Sequence, residues 1–400
     1  MESPRRIPGE RSRQAALCIL GIAIRVCTRR GVSYGGHGTV SAHEAGRRDS
    51  AGGVLTDRAG HVLVIGAGPA GACLAHLLAS RGIAVTLLER QRDFAREFRG
   101  EILMPSGVDA LTQMGLRAIL DTIPHVVAEG LEAFSGARRL VAFRFGDWWP
   151  EAARPRGFSQ VALLEAIVAD AARFPGFRLE RGCTVREVIR EDGRVAGVEA
   201  DTAEGPRRFR ADFVIGADGR ASVLRRRADL HEERHPQHFD IVWCRVPLPP
   251  FMRAPVMLRG YLGEGHLAIL IPAHDGRLQI AWAIRKGTFG ELRSQGIEAW
   301  IDDMARHVSP ELGDHLRAHR GDVTAPFLLD VVSDRLVRWR APGLLLVGDA
   351  AHPMSPVGGQ GVNIALRDVI VAANHLVPVL LSGAAPGALD AAATRFQDER

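Results

Sequence analysis

The sequence predicts a mixed α/β fold, in which a parallel-sheet domain is interrupted by a second, antiparallel sheet. Three observations predict it. A Gly-rich turn, "VIGAGPAG" (64–71), joins a short apolar run to a helical stretch. Two later apolar runs also end in turns, "ADFVIGADG" (211–219) and "GLLLVGDAA" (343–351). Between them, residues 238–325 change to strands of antiparallel character. Short, uninterrupted apolar runs mark parallel strands buried on both faces.

In order along the chain, "HVLVI" (61–65) reads as the first buried strand. "PAGACLAHLLASRG" follows as a helix, with Pro69 near its start and Gly82 at its stop. "IAVTLLE" (83–89) completes a βαβ unit of the usual length, and the domain is Rossmann-like. "GFSQVALLEAIVAD" (157–170) predicts a helix with its entry, and 183–200 a hairpin turning at Asp192-Gly193. After 238, "HFDIVWCRVPL", "APVMLRGYLG" and "HLAILIPAHDGRLQIAWAIR" predict antiparallel strands, with a turn at Asp275-Gly276. "GIEAWIDDMARHV" is helical, and "VNIALRDVIVAANHL" is an amphipathic helix after the last turn. The expected organisation is an N-terminal extension (1–58) and a dinucleotide-binding domain (59–237). Within the latter, 126–156 contributes to the substrate side. A sheet-rich substrate domain (238–325) follows, and 326–400 returns to the first domain.

At 400 residues, 46% hydrophobic and 24% charged, the chain reads as globular, soluble and cytoplasmic. Its net charge of +5 is local, because residues 1–58 hold ten Arg against five acids and the remainder is neutral. No basic face for nucleic acid is expected. Five widely spaced cysteines, none in CxxC spacing, support neither a disulfide framework nor a zinc site, and no metal is expected. "AALCILGIAI" (15–24) is too short to span a bilayer, and no later segment reads as transmembrane. The 1–58 segment is expected to be non-essential, and the end at "RFQDER" to be a truncation.

The first loop carries the chemistry of a nucleotide. Gly66, Gly68 and Gly71 have GxGxxG spacing. The first permits a tight turn, the second lets a pyrophosphate approach, and the third lets helix pack on strand. The helix N-terminus offers N–H groups to negative charge. Glu89, ending the next strand, suits ribose hydroxyls. In the last loop, Asp349 at a strand end can accept from a polyol, and Gly358, Gly359 and Gly361 line a helix start. Such a start suits a flavin edge that becomes anionic on reduction, which favours FAD over NAD as the bound dinucleotide.

GxGxxG at 66–71, "GADGRASVLR" (216–225) and "GDAAHPMSPVGGQGVNIALRD" (348–368) resemble, in order and separation, the three fingerprints of class A flavoprotein monooxygenases. These are single-component FAD enzymes of the para-hydroxybenzoate hydroxylase type, and the resemblance covers roughly 60–400. It implies that Gly66, Gly68, Gly71, Glu89 and Arg90 hold the ADP half of FAD. It places Arg99 at the pyrophosphate or nicotinamide, and Gln160 near the flavin. Asp218, with Gly219, Ser222 and Arg225, forms the DG motif. Asp349 binds the ribityl chain, and Gly359, Gly361 and Asn363 meet the pyrimidine edge. Pro356 lies against the isoalloxazine and is the position assigned to catalysis. His352 is expected to be structural.

The implied activity is hydroxylation of an aromatic or similar hydrophobic small molecule, using NAD(P)H and O2 through a flavin C4a-hydroperoxide. The enzyme would be a monomer or homodimer. "FGDWWPE" (145–151), Trp243 and Trp282 are candidate pocket walls. Two other readings remain open: a reductase of the geranylgeranyl type, and a flavin-binding protein without turnover. A halogenase on the same fold is disfavoured, because the chain lacks WxWxIP and its single lysine, Lys286, stands too late.

Overall fold

The computed structural model describes residues 61–95, 101–263, 265–356, 358–383 and 385–400. The 1–58 extension and Arg99 lie outside the described residues.

The apolar runs become the centre of a six-stranded sheet. Its order is Arg340–Ala341, Leu344–Leu346, Phe213–Gly216, Val62–Ile65, Val85–Glu89 and Phe177–Arg181. All pairs are parallel except the edge pair Arg340–Ala341 with Leu344–Leu346. Val62 faces Phe213 on one side and Val85 on the other. Alternate residues feed two cores. Val62, Val64, Val85, Leu87, Phe213 and Ile215 pack against helices Pro69–Ser80, Gln160–Ala171 and Gly361–Leu381. Leu63, Ile65, Leu88 and Val214 pack against an antiparallel three-stranded sheet, Thr184–Glu191, Arg194–Thr202 and Gly205–Arg210. That double cover is why the central strands read as continuous apolar runs.

The hairpin turns at Asp192 and Gly193, both at positive φ (47° and 76°), as a two-residue turn matched to strand twist requires. Its third strand, Gly205–Arg210, escaped the sequence reading. The segment "GPRRFR" carries arginines on both faces, Arg207 on one and Arg208 and Arg210 on the other, so its alternation is weak.

The second sheet has seven strands, ordered Phe327–Leu329, Phe239–Pro247, Arg277–Arg285, His266–Pro272, Met257–Gly263, Gly130–Ser135 and Arg138–Arg144. One pair, Met257–Gly263 with Gly130–Ser135, is parallel. Those strands come from separate excursions of the chain and no hairpin joins them, so antiparallel pairing is not imposed. Period-2 alternation sends Ile241, Trp243, Ile269, Ile271 and Ala281 to one face. It sends Val242, Cys244, Leu270, Ile280 and Trp282 to the other, beneath helices Ile297–His307 and Pro310–Ala318.

By length and composition, helix Gly361–Leu381 is long and apolar enough to cross a membrane, contrary to the expectation that no such segment exists. In the fold it is a core helix. It carries the fully buried Asp368 and Asn363, and its Leu366, Val369 and Leu376 enter the main core.

Candidate active site

A cleft of about 1500 Å³ opens at the C-terminal ends of the parallel strands, between the two sheets. All three Gly-rich loops reach it, as expected for an open α/β sheet whose ligands sit beyond the strand ends.

The three glycines of the first loop do different work. Gly66 has φ of 96°, and a Cβ there would fall 2.5 Å from the Ala217 carbonyl oxygen. A Cβ on Gly71 would lie 1.9 Å from the Gly66 oxygen. Gly68, in contrast, has nothing within 4 Å of its Cβ position and faces the cleft. It is the N-cap of helix Pro69–Ser80 and supplies no side-chain cap. Two close approaches and one open face are what a pyrophosphate-binding turn needs.

Glu89, 6% exposed, accepts from the Ala67 N–H (2.8 Å) and the Gln91 N–H (2.9 Å). The carboxylate therefore braces the Gly-rich loop while lining the cleft beside Arg90. Gln160 also lines the cleft, at the first turn of its helix. The cap is Ser159, whose Oγ accepts from Ala162 N–H at 3.2 Å, so Gln160 is left to face the cavity. Its N–H donates to Glu101 Oε1 at 3.4 Å. Glu101 is a cleft residue that the sequence did not single out, although it adjoins Arg99. Burial pushes its carboxyl above the usual range.

In the second loop, Asp218 Oδ2 accepts from Val223 N–H (2.7 Å) and Leu224 N–H (3.2 Å). Its Oδ1 is buried without a protein partner, and the residue borders the cleft. Burial raises the Asp218 pKa against the pull of the Ser222 hydroxyl and those N–H donors. An unpartnered buried acceptor costs free energy, and a ligand hydroxyl would relieve it.

In the third loop, Gly348 (φ 59°) donates its N–H to Asp368 Oδ2 at 2.7 Å. His352 Nε2 is also 2.7 Å from Asp368 Oδ2, and Arg400 Nε is 2.7 Å from Oδ1. His352 thus holds the loop from behind. Burial opposes its charge, but the Asp368 carboxylate outweighs that effect, and its pKa is raised. Asp349, Pro356, Gly359 and Gly361 line the cleft, with Gly361 having nothing within 4 Å of its Cβ position.

Asn363 departs from expectation. It is 1% exposed and set back from the cleft, with Oδ1 accepting from Met104 N–H (2.8 Å) and Nδ2 donating to Gly359 O (2.7 Å). Both ends of the amide hold the protein, and Nδ2 braces Gly359 at the cleft wall. Helical periodicity explains this, since the residue two after Gly361 turns towards the core.

The opposite wall is the apolar face of the seven-stranded sheet, including Leu131, Ile241, Trp243, Leu258 and Ile271. Of the aromatic candidates, Trp243 is at this wall. Trp282 lies on the reverse face, because its strand pairs it with Val242 and pairs Trp243 with Ala281. Trp148 is exposed, and Trp149 packs on Phe145. Lys286 does reach the cleft despite its late position. Its Nζ donates to Asp240 (2.9 Å), Asp330 (2.5 Å) and the Val331 carbonyl (3.0 Å), so its three protons are committed.

The donor set fits FAD. An open glycine at a helix start, a braced acid at a strand end, an orphaned acceptor and a second glycine-lined helix start converge on one cleft. A profile of the family described as "FAD binding domain" matches residues 60–398. The chain is 31% identical over 344 residues to a 6-methylpretetramide 4-monooxygenase of Streptomyces rimosus, covering 84% of this chain and 78% of that one. It is 29% identical over 363 residues to a ubiquinone hydroxylase of Rhodospirillum rubrum, covering 86% and 79%. A probable FAD-dependent monooxygenase from Pseudomonas aeruginosa has the same fold, with TM-score 0.72, 24% identity and coverage of 85% and 92%.

Proposed function

The chain belongs to the class A FAD-dependent monooxygenases, and from that premise we propose that it hydroxylates an aromatic or similar hydrophobic small molecule with NAD(P)H and O2. One observation carries this reading. The glycine-lined loops and the apolar sheet face enclose a single cleft, so a polar cofactor and an apolar substrate can meet there.

Gly66, Gly68, Gly71, Glu89 and Arg90 would hold the ADP end of FAD, with the Asp218 Oδ1 accepting from a hydroxyl of the cofactor. Asp349, Gly359 and Gly361 would hold the flavin end, and Pro356 would shape the flank where substrate approaches. Bound FAD supplies the two-electron relay from NAD(P)H and the activation of O2. The protein supplies position and dryness: Trp243, Ile241 and Ile271 keep water from the reacting face. Overall, substrate, O2, NAD(P)H and a proton yield hydroxylated substrate, water and NAD(P)+.

The test is NAD(P)H oxidation by the yellow, FAD-loaded protein against an aromatic compound library, with O2 uptake and product mass recorded. Substrate-dependent uptake of one O2 per NAD(P)H and a product heavier by one oxygen atom are expected. Loss of a substrate double bond without O2 uptake would move the assignment to a reductase. A colourless protein that cannot be reconstituted with FAD would sink both.

A further inference from the structure

On the far side of the seven-stranded sheet, away from the cleft, the fold assembles a second group of ligating side chains. His266 begins strand His266–Pro272, and Asp303 and His307 lie one turn apart near the end of helix Ile297–His307. One potential ligand atom from each of the three falls within 4.8 Å of the others. The imidazole rings are 3.8 Å apart between centroids, and His307 Nε2 is 3.8 Å from Asp303 Oδ1. A cavity of about 170 Å³ adjoins them, lined by both histidines, Trp282, Tyr261, Ser135 and Arg306.

We propose that His266, Asp303 and His307 form a binding site for a divalent transition ion, with Zn2+ as the representative, clamping the helical layer to the sheet. Two imidazoles and one carboxylate make a mixed nitrogen and oxygen donor set. That set suits Zn2+, Ni2+ or Cu2+ and does not suit Ca2+ or Mg2+, which take all-oxygen shells. Bonds of about 2.0–2.2 Å in a tetrahedral shell bring ligand atoms closer than they stand now. Modest rotation of partly exposed side chains supplies that movement. The adjoining cavity leaves room for water in the fourth position, which a volume of about 30 Å³ per water requires. Arg306 Nη2 lies 2.6 Å from Asp303 Oδ1, so its guanidinium competes with the ion for the carboxylate.

The site is independent of the flavin reading. It bridges strand and helix on the face opposite Ile269 and Ile271, which line the cleft. Sequence spacing could not reveal it. Asp303 and His307 have helical spacing, but nothing local brings His266 to them.

The test is calorimetric titration of ZnCl2 into tag-free, chelator-dialysed, full-length protein. One saturable equivalent is expected, with affinity falling at least tenfold in His266→Ala and in His307→Ala. Arg306→Ala should bind more tightly, because it removes the competing cation. Ni2+ should quench tryptophan fluorescence, and Trp282→Phe should remove most of that quench, since Trp282 is 5.3 Å from His266 between ring centroids. His319→Ala is the control at another histidine pair, His315 and His319, and should leave binding unchanged. His307→Gln replaces the alanine variant if the latter does not fold. No saturable binding, binding indifferent to His266 and His307, or binding lost with His319 would each overturn the proposal.

Discussion

Arg220 Nε lies 3.3 Å from Asp349 Oδ2, joining two cleft loops that are 129 residues apart in the chain. The same guanidinium donates to the carbonyls of Asp330 (3.2 Å) and Met354 (3.3 Å). One side chain therefore sets the spacing between the second loop, the third loop and the edge of the substrate wall. Hydrogen bonds to charged groups contribute about 1.5–3 kcal/mol when one partner is removed. Arg220→Ala is expected to weaken FAD binding about tenfold, with Arg220→Lys recovering only part of the loss because lysine lacks the planar fork. Flavin fluorescence titration measures it. Asp349→Ala should cost FAD affinity as well, and unchanged flavin occupancy would contradict its role.

Gly68 and Gly71 separate binding from folding. Gly71→Ala drives a methyl group into the Gly66 carbonyl oxygen and should lower stability by about 1–3 kcal/mol, as overpacking does. Gly68→Ala meets no protein atom within 4 Å and has φ of −70°, so its melting temperature should match wild type. Its methyl group occupies the cleft, and FAD affinity should fall. Comparing apo-protein melting with FAD titration for both variants checks the pair.

Asp218→Asn tests the orphaned oxygen. The amide oxygen can still accept from Val223 and Leu224, so folding should survive. Its NH2 group cannot accept a hydroxyl proton where Oδ1 stood, and FAD binding should weaken by about 1–3 kcal/mol, the cost of an unpaired buried group. Unaltered affinity would remove Asp218 from the site.

His352 makes the third loop pH-sensitive. Ring burial disfavours its charge, but Asp368, with Asp349 behind it, raises the pKa above 6.5 in the folded state. The contribution to stability is therefore complete below the unfolded value near 6.5 and is lost as pH rises through the higher folded value. The gap in melting temperature between wild type and His352→Gln should be widest at acid pH and narrow on the alkaline side. A gap that widens with pH would reverse the assignment.

Trp243 and Trp282 sit on adjacent strands and face opposite ways. Trp243→Ala should chiefly raise KM for an apolar substrate. Trp282→Ala leaves a cavity in the core under the helical layer and should cost about 3–5 kcal/mol of stability. Steady-state kinetics and denaturant unfolding distinguish the two.

The loops were legible because their signals are local. Gly66 is forced by a positive φ and Gly71 by contact five residues back, and both constraints repeat wherever such a turn is built. The buried strands were legible from uninterrupted apolar runs. Asn363 has its side chain behind Gly359 and Gly361, which line the cleft, because the helix phase turns it inward. The strand Gly205–Arg210 and the cleft carboxyl Glu101 were missed for a related reason: their significance lies in what they pack against.

By itself, then, the sequence determined the α/β class, the buried apolar strands at the centre of the first sheet, and the three loops that end them. Those follow from periodicity and backbone conformation over a few residues. Only the tertiary structure decided that Arg220 bridges to Asp349, that Lys286 reaches the cleft with its protons already spent, and that Trp243 faces the cleft while Trp282 does not. It alone brought His266 beside Asp303 and His307. Such contacts depend on strand register and on packing between distant segments, and a one-residue shift in register would reverse each sheet-borne face without changing the local pattern.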